Sequence, residues 1–190
     1  MKTNEYLIIV DCNDNEQGKL EKILTHELGV LHRAFSVFIF NSKGELLLQQ
    51  RSEDKYHSGG LWTNTCCSHP QYGEEVNDAV KRRLKEEMGL ECSTNFAFKF
   101  QYKSAVNNGL IENEIDYVYL GISDYVPIPN YHEVQDWKYS NLDFLAKDLD
   151  MNAQNYTQWF KICFEKIRQY YYTYFEKNVL PCETINLQNI

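Results

Sequence analysis

Between residues 74 and 88 the chain carries Val76, Val80, Leu84 and Met88 at successive four-residue steps, with Ala79 beside them and charged residues around. That spacing predicts an amphipathic helix whose apolar stripe another element must cover. Pro70 and Gly73 break the chain before it, and Gly89 is the expected C′ residue that stops it. The flanking segments read as strands and further helices. Residues 6–11 read as a strand, then a polar loop, then a short helical stretch over about 20–28, with Ile23, Leu24 and Leu28 at helical spacing. Lys22 and His26, four apart, share one face of that stretch. Over 34–51 two apolar runs flank Asn41-Ser42-Lys43-Gly44, the turn chemistry of a β-hairpin, with Phe35, Val37 and Ile39 on one side.

Residues 62–68 read as extended, 96–104, 114–122 and 134–139 as strands, and Asn141 as the cap of a helix. The last long segment places Tyr156, Trp159, Phe160, Cys163, Phe164 and Ile167 three or four apart, an amphipathic helix that packs on the sheet. The pattern is mixed α/β (α+β). With 190 residues and 43% hydrophobic content there is material for one sizeable core, and no composition break marks a second domain. The expectation is one domain over 1–190, its core at about 20–170, with an N-terminal strand and a C-terminal helical tail appended.

A net charge of −8 gives no general attraction for nucleic acid or anionic lipid, so an anionic substrate needs a local cluster of bases. The apolar run 7–10 is too short for a signal-peptide core or a membrane span. A cytosolic protein is expected, acting as a monomer, with neither nucleic acid nor membrane as partner. Its six cysteines read as thiols, with Cys12, Cys92, Cys163 and Cys182 as small apolar fillers.

The central helix reads Glu74, seven residues, then Arg82-Arg83-Leu84-Lys85-Glu86-Glu87-Met88-Gly89-Leu90. It resembles the Nudix box, in which glutamates on one helical face hold divalent metal against a diphosphate. Two positions depart from the hydrolase pattern: Ser68 stands where the box begins with Gly, and Arg83 where a metal-binding Glu is expected. An Arg there suits gripping a diphosphate better than building a metal cluster.

Further motifs accompany the helix: Leu20-Glu21-Lys22 with His26 and His32, then Arg51 and Lys55, then Trp62-Thr63-Asn64-Thr65-Cys66-Cys67-Ser68-His69-Pro70, and Glu112-Asn113-Glu114. In this order they closely resemble the type I isopentenyl-diphosphate isomerases. The resemblance implies a Nudix-like mixed sheet with helices on both faces, and interconversion of isopentenyl and dimethylallyl diphosphate through a carbocation. It places His26, His32, His69, Glu112 and Glu114 as metal ligands, leaving His57 and His132 outside the set. Three imidazoles and two carboxylates suit Mn²⁺ or Zn²⁺, with Mg²⁺ the third possibility. Glu112 and Glu114, two apart on a strand, point to the same side. The resemblance also implies a small diphosphate substrate held by Lys22, Arg51, Lys55 and Arg83, with Mg²⁺ bridging it to Glu87.

The same resemblance gives the acid/base roles to Cys67 and Glu114, a hydrogen bond on the catalytic carboxylate to Tyr102, and the face toward the cation to Trp159. A Cys of ordinary pKa, about 8.5, donates or accepts protons near neutral pH. Adjacent residues on an extended segment point oppositely, so Cys67 shares its side with His69 and Cys66 packs beneath. The loop His57-Ser58-Gly59-Gly60 lacks a proline often found in the family before the second Gly. The alternatives are a Nudix diphosphate hydrolase, against which Arg83 speaks, a catalytically silent metal-binding module, and a structural zinc site, which lacks a second ligand pair.

Overall fold

Residues 34–40 are buried without exception, so their strand is covered on both faces. The computed structural model describes residues 5–178. Its strands are β1 (Tyr6–Val10), β2 (Glu16–Glu21), β3 (His32–Phe40), β4 (Leu46–Arg51), β5 (Trp62–Thr63), β6 (Cys66–Ser68), β7 (Thr94–Ala105), β8 (Ile111–Ile122) and β9 (Val134–Ser140). The helices are α1 (Lys22–Leu28), α2 (Val76–Met88), α3 (Leu142–Asn152) and α4 (Gln158–Asn178). Cys182 and residues 179–190 of the tail lie outside the described residues.

One mixed sheet holds all nine strands, and β3 is its hub. Strand β8 runs parallel to β3 along its whole length, from His32↔Glu114 to Phe40↔Ile122. The other edge of β3 is shared among β1 at His32, β6 at residues 35–37 and β4 at Phe40. On one face Phe35, Val37, Ile39 and Leu47 pack under Ala79, Val80, Leu84 and Met88 of α2. On the other, Phe38, Phe40, Leu46, Leu48, Val118 and Leu120 pack under α3 and the stripe Trp159, Phe160, Cys163, Phe164 and Ile167 of α4. Both predicted stripes are therefore buried, helices lie on both faces, and the fold is the expected α/β arrangement. Gly89 ends α2 in the left-handed region at φ 64°, where its N–H reaches the Lys85 carbonyl and the Leu90 N–H the Leu84 carbonyl.

The structure departs from the sequence reading in four places. Residues 16–21, expected as polar loop up to the helical stretch from about 20, form β2, which pairs with β1 from Tyr6↔Glu21 to Ile9↔Gly18. Its side chains are exposed or half-buried, so no apolar alternation marks it. In α1 the helix is as expected but its buried face is opposite to the apolar one: Ile23, Leu24 and Leu28 are exposed while Thr25 and His26 are buried. The hairpin at 34–51 has its turn, yet β3 and β4 pair only at Phe40↔Leu46 before splaying, with β5 on β4 and β6 on β3. Cys12 is exposed, so it fills no core; Cys163 does and Cys92 is half-buried.

Two polar side chains secure this arrangement. Asp14, at φ 67° in the β1–β2 turn, receives bonds from Arg33 Nε and Lys99 Nζ, both at 2.7 Å, and from the Tyr117 hydroxyl. Burial alone would raise its carboxyl, but Lys99, Tyr117 and Arg33 outweigh that and hold it below the ordinary aspartate value. It fastens the N-terminal hairpin to β3, β7 and β8. Thr65 sits where β3 and β4 splay: its Oγ1 accepts the Ile39 N–H (2.9 Å) and donates to the Leu47 carbonyl (2.6 Å). Thr65→Val keeps the shape and strands both buried groups. It is expected to destabilise the fold by about 2–5 kcal/mol, read as a lower urea midpoint at unchanged m-value; an unchanged midpoint would remove Thr65 from this role.

Candidate metal centre and pocket

Alternation along β8 puts Glu112, Glu114 and Asp116 in one row on the α4 face, continuing into buried Val118 and Leu120. Strand register supplies their neighbours. His32 of β3 pairs with Glu114 on one side, and Tyr102 of β7 pairs with it on the other. The Tyr102 hydroxyl accordingly donates to Glu114 Oε2 at 2.6 Å. His69, just beyond β6, brings Nε2 to 2.8 Å from Glu114 Oε1, and His26 reaches in from α1 to 3.5 Å from Glu112 Oε2.

The five side chains expected as ligands, His26, His32, His69, Glu112 and Glu114, converge: one ligand atom from each lies within 4.8 Å of all the others. His26 Nδ1–H donates to the Lys22 carbonyl (2.7 Å) and His32 Nδ1–H to the Val30 carbonyl (2.8 Å), which leaves both Nε2 lone pairs facing the centre. Those two Nε2 atoms and Glu112 Oε2 are buried without a hydrogen-bond partner. Orphaned acceptors pointing at one another are costly alone and are the donor set a divalent ion requires, so this group could hold a metal. The inversion of α1 has the same origin, since only that orientation delivers His26 to the centre.

Electrostatics follow from the crowding of these groups: against the effect of burial, the Glu112 carboxylate raises the His26 imidazole. Glu114 is pushed up by burial and by the adjacent Glu112 charge, while Glu112, although buried, is held well below the usual carboxylate range by His26 and His57. Burial, with His32 and His26 nearby, keeps the His69 imidazole neutral, as a ligand must be.

Beside the cluster lies a pocket with a cavity of about 40 Å³, lined by Cys67, His69, Arg51, Tyr102, Glu114 and Trp159, among others. Cys67 faces it, whereas Cys66 is fully buried on the α2 side, as alternation predicts. The Thr-Asn-Thr run explains the placement. Asn64 Nδ2 donates to the Val37 and Cys66 carbonyls, and its Oδ1 accepts the Trp159 indole N–H at 3.2 Å. Thr63 and Thr157 join hydroxyls at 2.8 Å, so the start of α4 is tied to β5 and the Trp159 ring is fixed over the pocket.

One chemical expectation changes. Burial pushes the Cys67 thiol up to about 12, against the Arg51 guanidinium, whose Nη1 lies 3.7 Å from Sγ. The residue is held as a thiol near neutral pH, not poised between thiol and thiolate.

The four expected diphosphate bases are not equivalent. Arg51 lines the pocket, donating to the Ser58 and His57 carbonyls, both at 3.2 Å, and of the four it alone has no carboxylate partner among the described residues. Lys22 pairs with Glu5 at 2.8 Å, Lys55 pairs with Glu133, and Arg83 pairs with Glu86, Glu87 and Glu133. Glu87 is buried outside the ligand cluster, with Oε1 on Arg83 (2.5 Å) and Oε2 on Gln49 (2.9 Å).

The sequence reading missed two titratable residues beside the cluster, Asp116 and the role of His57, of which His57 lines the pocket and Asp116 touches its lining through Ser36. Asp116 continues the Glu112–Glu114 row; it accepts from Ser36 Oγ at 2.8 Å, and burial with the Glu114 charge pushes its carboxyl well up. The period of two could have found it. His57, placed outside the set, is no member of the ligand cluster but brings Nε2 to 2.9 Å from Glu112 Oε1. A single histidine in a loop carries no signal that could have found it. His132 follows the turn at Asn130, on an exposed stretch.

Comparison with known proteins places this geometry. The NUDIX domain model matches residues 30–160. The isopentenyl-diphosphate Delta-isomerase of Pectobacterium atrosepticum is 48% identical over 87% of this chain and 92% of its own length. Isopentenyl-diphosphate Delta-isomerase 1 of Aromatoleum aromaticum is 47% identical over 86% and 92%. Among solved structures, DR0079 from Deinococcus radiodurans superposes with a TM-score of 0.71 at 20% identity, covering 85% of this chain and 98% of that one. A MutT protein from Methanosarcina mazei Go1 gives 0.61 at 22% identity over 74% and 94%. Both show the fold alone. Among the described residues no helix is long and apolar enough to cross a membrane.

A thiol at about 12 is only about one part in ten thousand thiolate at pH 8. Iodoacetamide at pH 8 should therefore modify exposed Cys12 long before Cys67, the difference vanishing in urea. Peptide mass spectrometry reads this, and equal rates in the folded protein would contradict the buried thiol.

Proposed function

The chain belongs to the isopentenyl-diphosphate Delta-isomerases, a family carried on the NUDIX domain, and we propose that it interconverts isopentenyl and dimethylallyl diphosphate by proton addition and removal between Cys67 and Glu114. The observation that carries the division of roles is the sheet order. Cys67 on β6 and Glu114 on β8 stand on opposite edges of β3, and both line one pocket. A five-carbon chain laid across β3 has one acid/base group on each side.

An isolated alkene is a weak base, so the reaction needs a strong donor and a stabilised tertiary cation. One group gives a proton to the terminal CH₂; the other takes a proton from the carbon next to the diphosphate-bearing CH₂, and the double bond moves by one position. Each group donates in one direction and accepts in the other, as microscopic reversibility requires. Cys67 is the proton carrier on the β6 side, and Tyr102 keeps Glu114 oriented through the 2.6 Å bond to Oε2. Trp159, only 4% exposed, offers its ring face to the cation, a contact worth about 2 kcal/mol when desolvated. Its burial also excludes water, which would trap the cation as an alcohol.

Arg51 grips the diphosphate first, with Lys22, Lys55 and Arg83 exchanging their carboxylate partners for it. His26, His32, His69, Glu112 and Glu114 would hold the metal, Mn²⁺ or Zn²⁺ by donor type and Mg²⁺ otherwise. Such an ion would favour the ionised carboxylates and set the proton affinity of Glu114. Glu87 would be the protein carboxylate for Mg²⁺ carried with the diphosphate, an ion that would offset phosphate charge. The reading is of a cytosolic monomer acting on a free small molecule, with neither nucleic acid nor membrane as partner, which the net charge of −8 supports.

Isopentenyl diphosphate incubated with the protein and Mn²⁺ plus Mg²⁺ in D₂O, followed by proton NMR, is expected to yield dimethylallyl diphosphate with deuterium in the methyl group. Release of inorganic phosphate or pyrophosphate instead would identify a hydrolase. Cys67→Ala and Glu114→Gln should each cost at least about 10²–10⁴-fold in rate, while Cys66→Ala keeps most activity; an active Cys67→Ala protein would overturn the assignment.

A further inference from the structure

Glu112 has its two oxygens in different surroundings. Oε2 is the orphaned atom facing the ligand cluster, whereas Oε1 points away from it to His57, at 2.9 Å from Nε2. A carboxylate only accepts, so His57 Nε2 carries the proton and Nδ1 accepts from the Ser58 hydroxyl at 3.1 Å. His57 is 2% exposed, and its ring stands edge-to-face against Tyr56 (4.4 Å) and Trp159 (6.1 Å). Packing and hydrogen bonds therefore fix the ring on every side.

The backbone carrying it is equally constrained. Ser58 adopts φ 52°, and its N–H donates to Asn107 Oδ1 at 2.7 Å, while Asn108 Nδ2 donates to the Tyr56 carbonyl at 2.9 Å. Asn107 and Asn108 belong to the tip joining β7 to β8, so the loop is bolted to the hairpin that carries Glu112. From the other side Arg51 donates to the His57 and Ser58 carbonyls. A Cβ on Gly59 would lie 2.7 Å from the Glu53 carbonyl oxygen, so the loop closes on itself without a proline.

We infer that His57 is a positioning residue for the metal centre: its Nε2–H ties one oxygen of Glu112 and thereby aims the other at the ligand cluster. The inference rests on the metal-centre reading above. It gives the chain a support outside the ligand set, of the kind whose loss typically weakens metal binding 10–100-fold. Through the His57 and Ser58 carbonyls the same loop also orients Arg51, so the anion grip and the metal ligand share one rigid part.

The test uses the whole protein and Mn²⁺ alone, with bound and free metal read by electron paramagnetic resonance at fixed pH. H57F keeps an aromatic ring between Tyr56 and Trp159 but has no N–H for Glu112; H57Q loses the ring but can place an amide N–H near the same point. H57F should bind Mn²⁺ about 10–100-fold more weakly than wild type, and H57Q within about threefold of wild type. Under saturating Mn²⁺ the H57F turnover should recover, since the loss is in affinity. Wild-type affinity in H57F would overturn the inference, and so would H57Q binding as weakly as H57F, because packing would then explain the loss. Failure of wild type itself to bind Mn²⁺ would instead sink the metal-centre reading.

Discussion

A slip of one residue in β8 would turn Glu112, Glu114 and Asp116 to the α2 face and scatter the ligand cluster. The parallel ladder from His32↔Glu114 to Phe40↔Ile122 prevents it, because the same shift would take Val118 and Leu120 out of the core under α4 and put Tyr117, Tyr119 and Gly121 in their place. Register is thus set by hydrophobic burial at one end of the strand and used for chemistry at the other. The α4 face of the sheet changes character along its length, from Phe38, Phe40 and Leu120 under the helix to His32, Glu114 and Tyr102 at the pocket.

The pocket end is held in an arrangement that folding alone does not favour. Two carboxylates lie buried side by side, three ligand atoms lack partners, and an entire helix shows its apolar side chains to solvent so that His26 can face inward. Each is a local conflict, of the sort that proteins retain at functional sites and offset elsewhere. The offset is visible: Asp14 fastens the hairpin leading into α1, Thr65 bridges the splayed strands, and Asn64 locks Cys66, Trp159 and β3 together.

In an isopentenyl-diphosphate isomerase this rigidity has a chemical purpose. A carbocation discriminates poorly between nucleophiles, so the walls must be dry and fixed before it forms. The Cys67 thiol, the indole of Trp159 and the bonded loop at residues 56–60 provide such walls. Of the four bases Arg51 lines the pocket and the other three are paired with carboxylates, so under the proposed function anion binding would be an exchange of partners, favoured where a diphosphate offers more oxygens than a single carboxylate.

Much of this was legible in the chain. Four-residue steps announced α2 and α4, alternation separated Cys67 from Cys66, and the spacing of Glu112 and Glu114 put them on one side, because helical and extended periods are local properties of the backbone. The family motifs named the five side chains that the fold brings together. Local periodicity failed where a distant partner decides. Residues 16–21 form a strand only because β1 is beside them, α1 turns its apolar face outward only because the ligand cluster lies behind it, and β3 and β4 part to leave room for β5 and β6. The Cys67 thiol owes its high pKa to burial beneath α4, and His57 acquires its place from Glu112, 55 residues away along the chain by their numbering. Sequence determined which residues could do the chemistry; only the tertiary structure decided their protonation and their partners, since both depend on groups that the fold brings together and the chain does not.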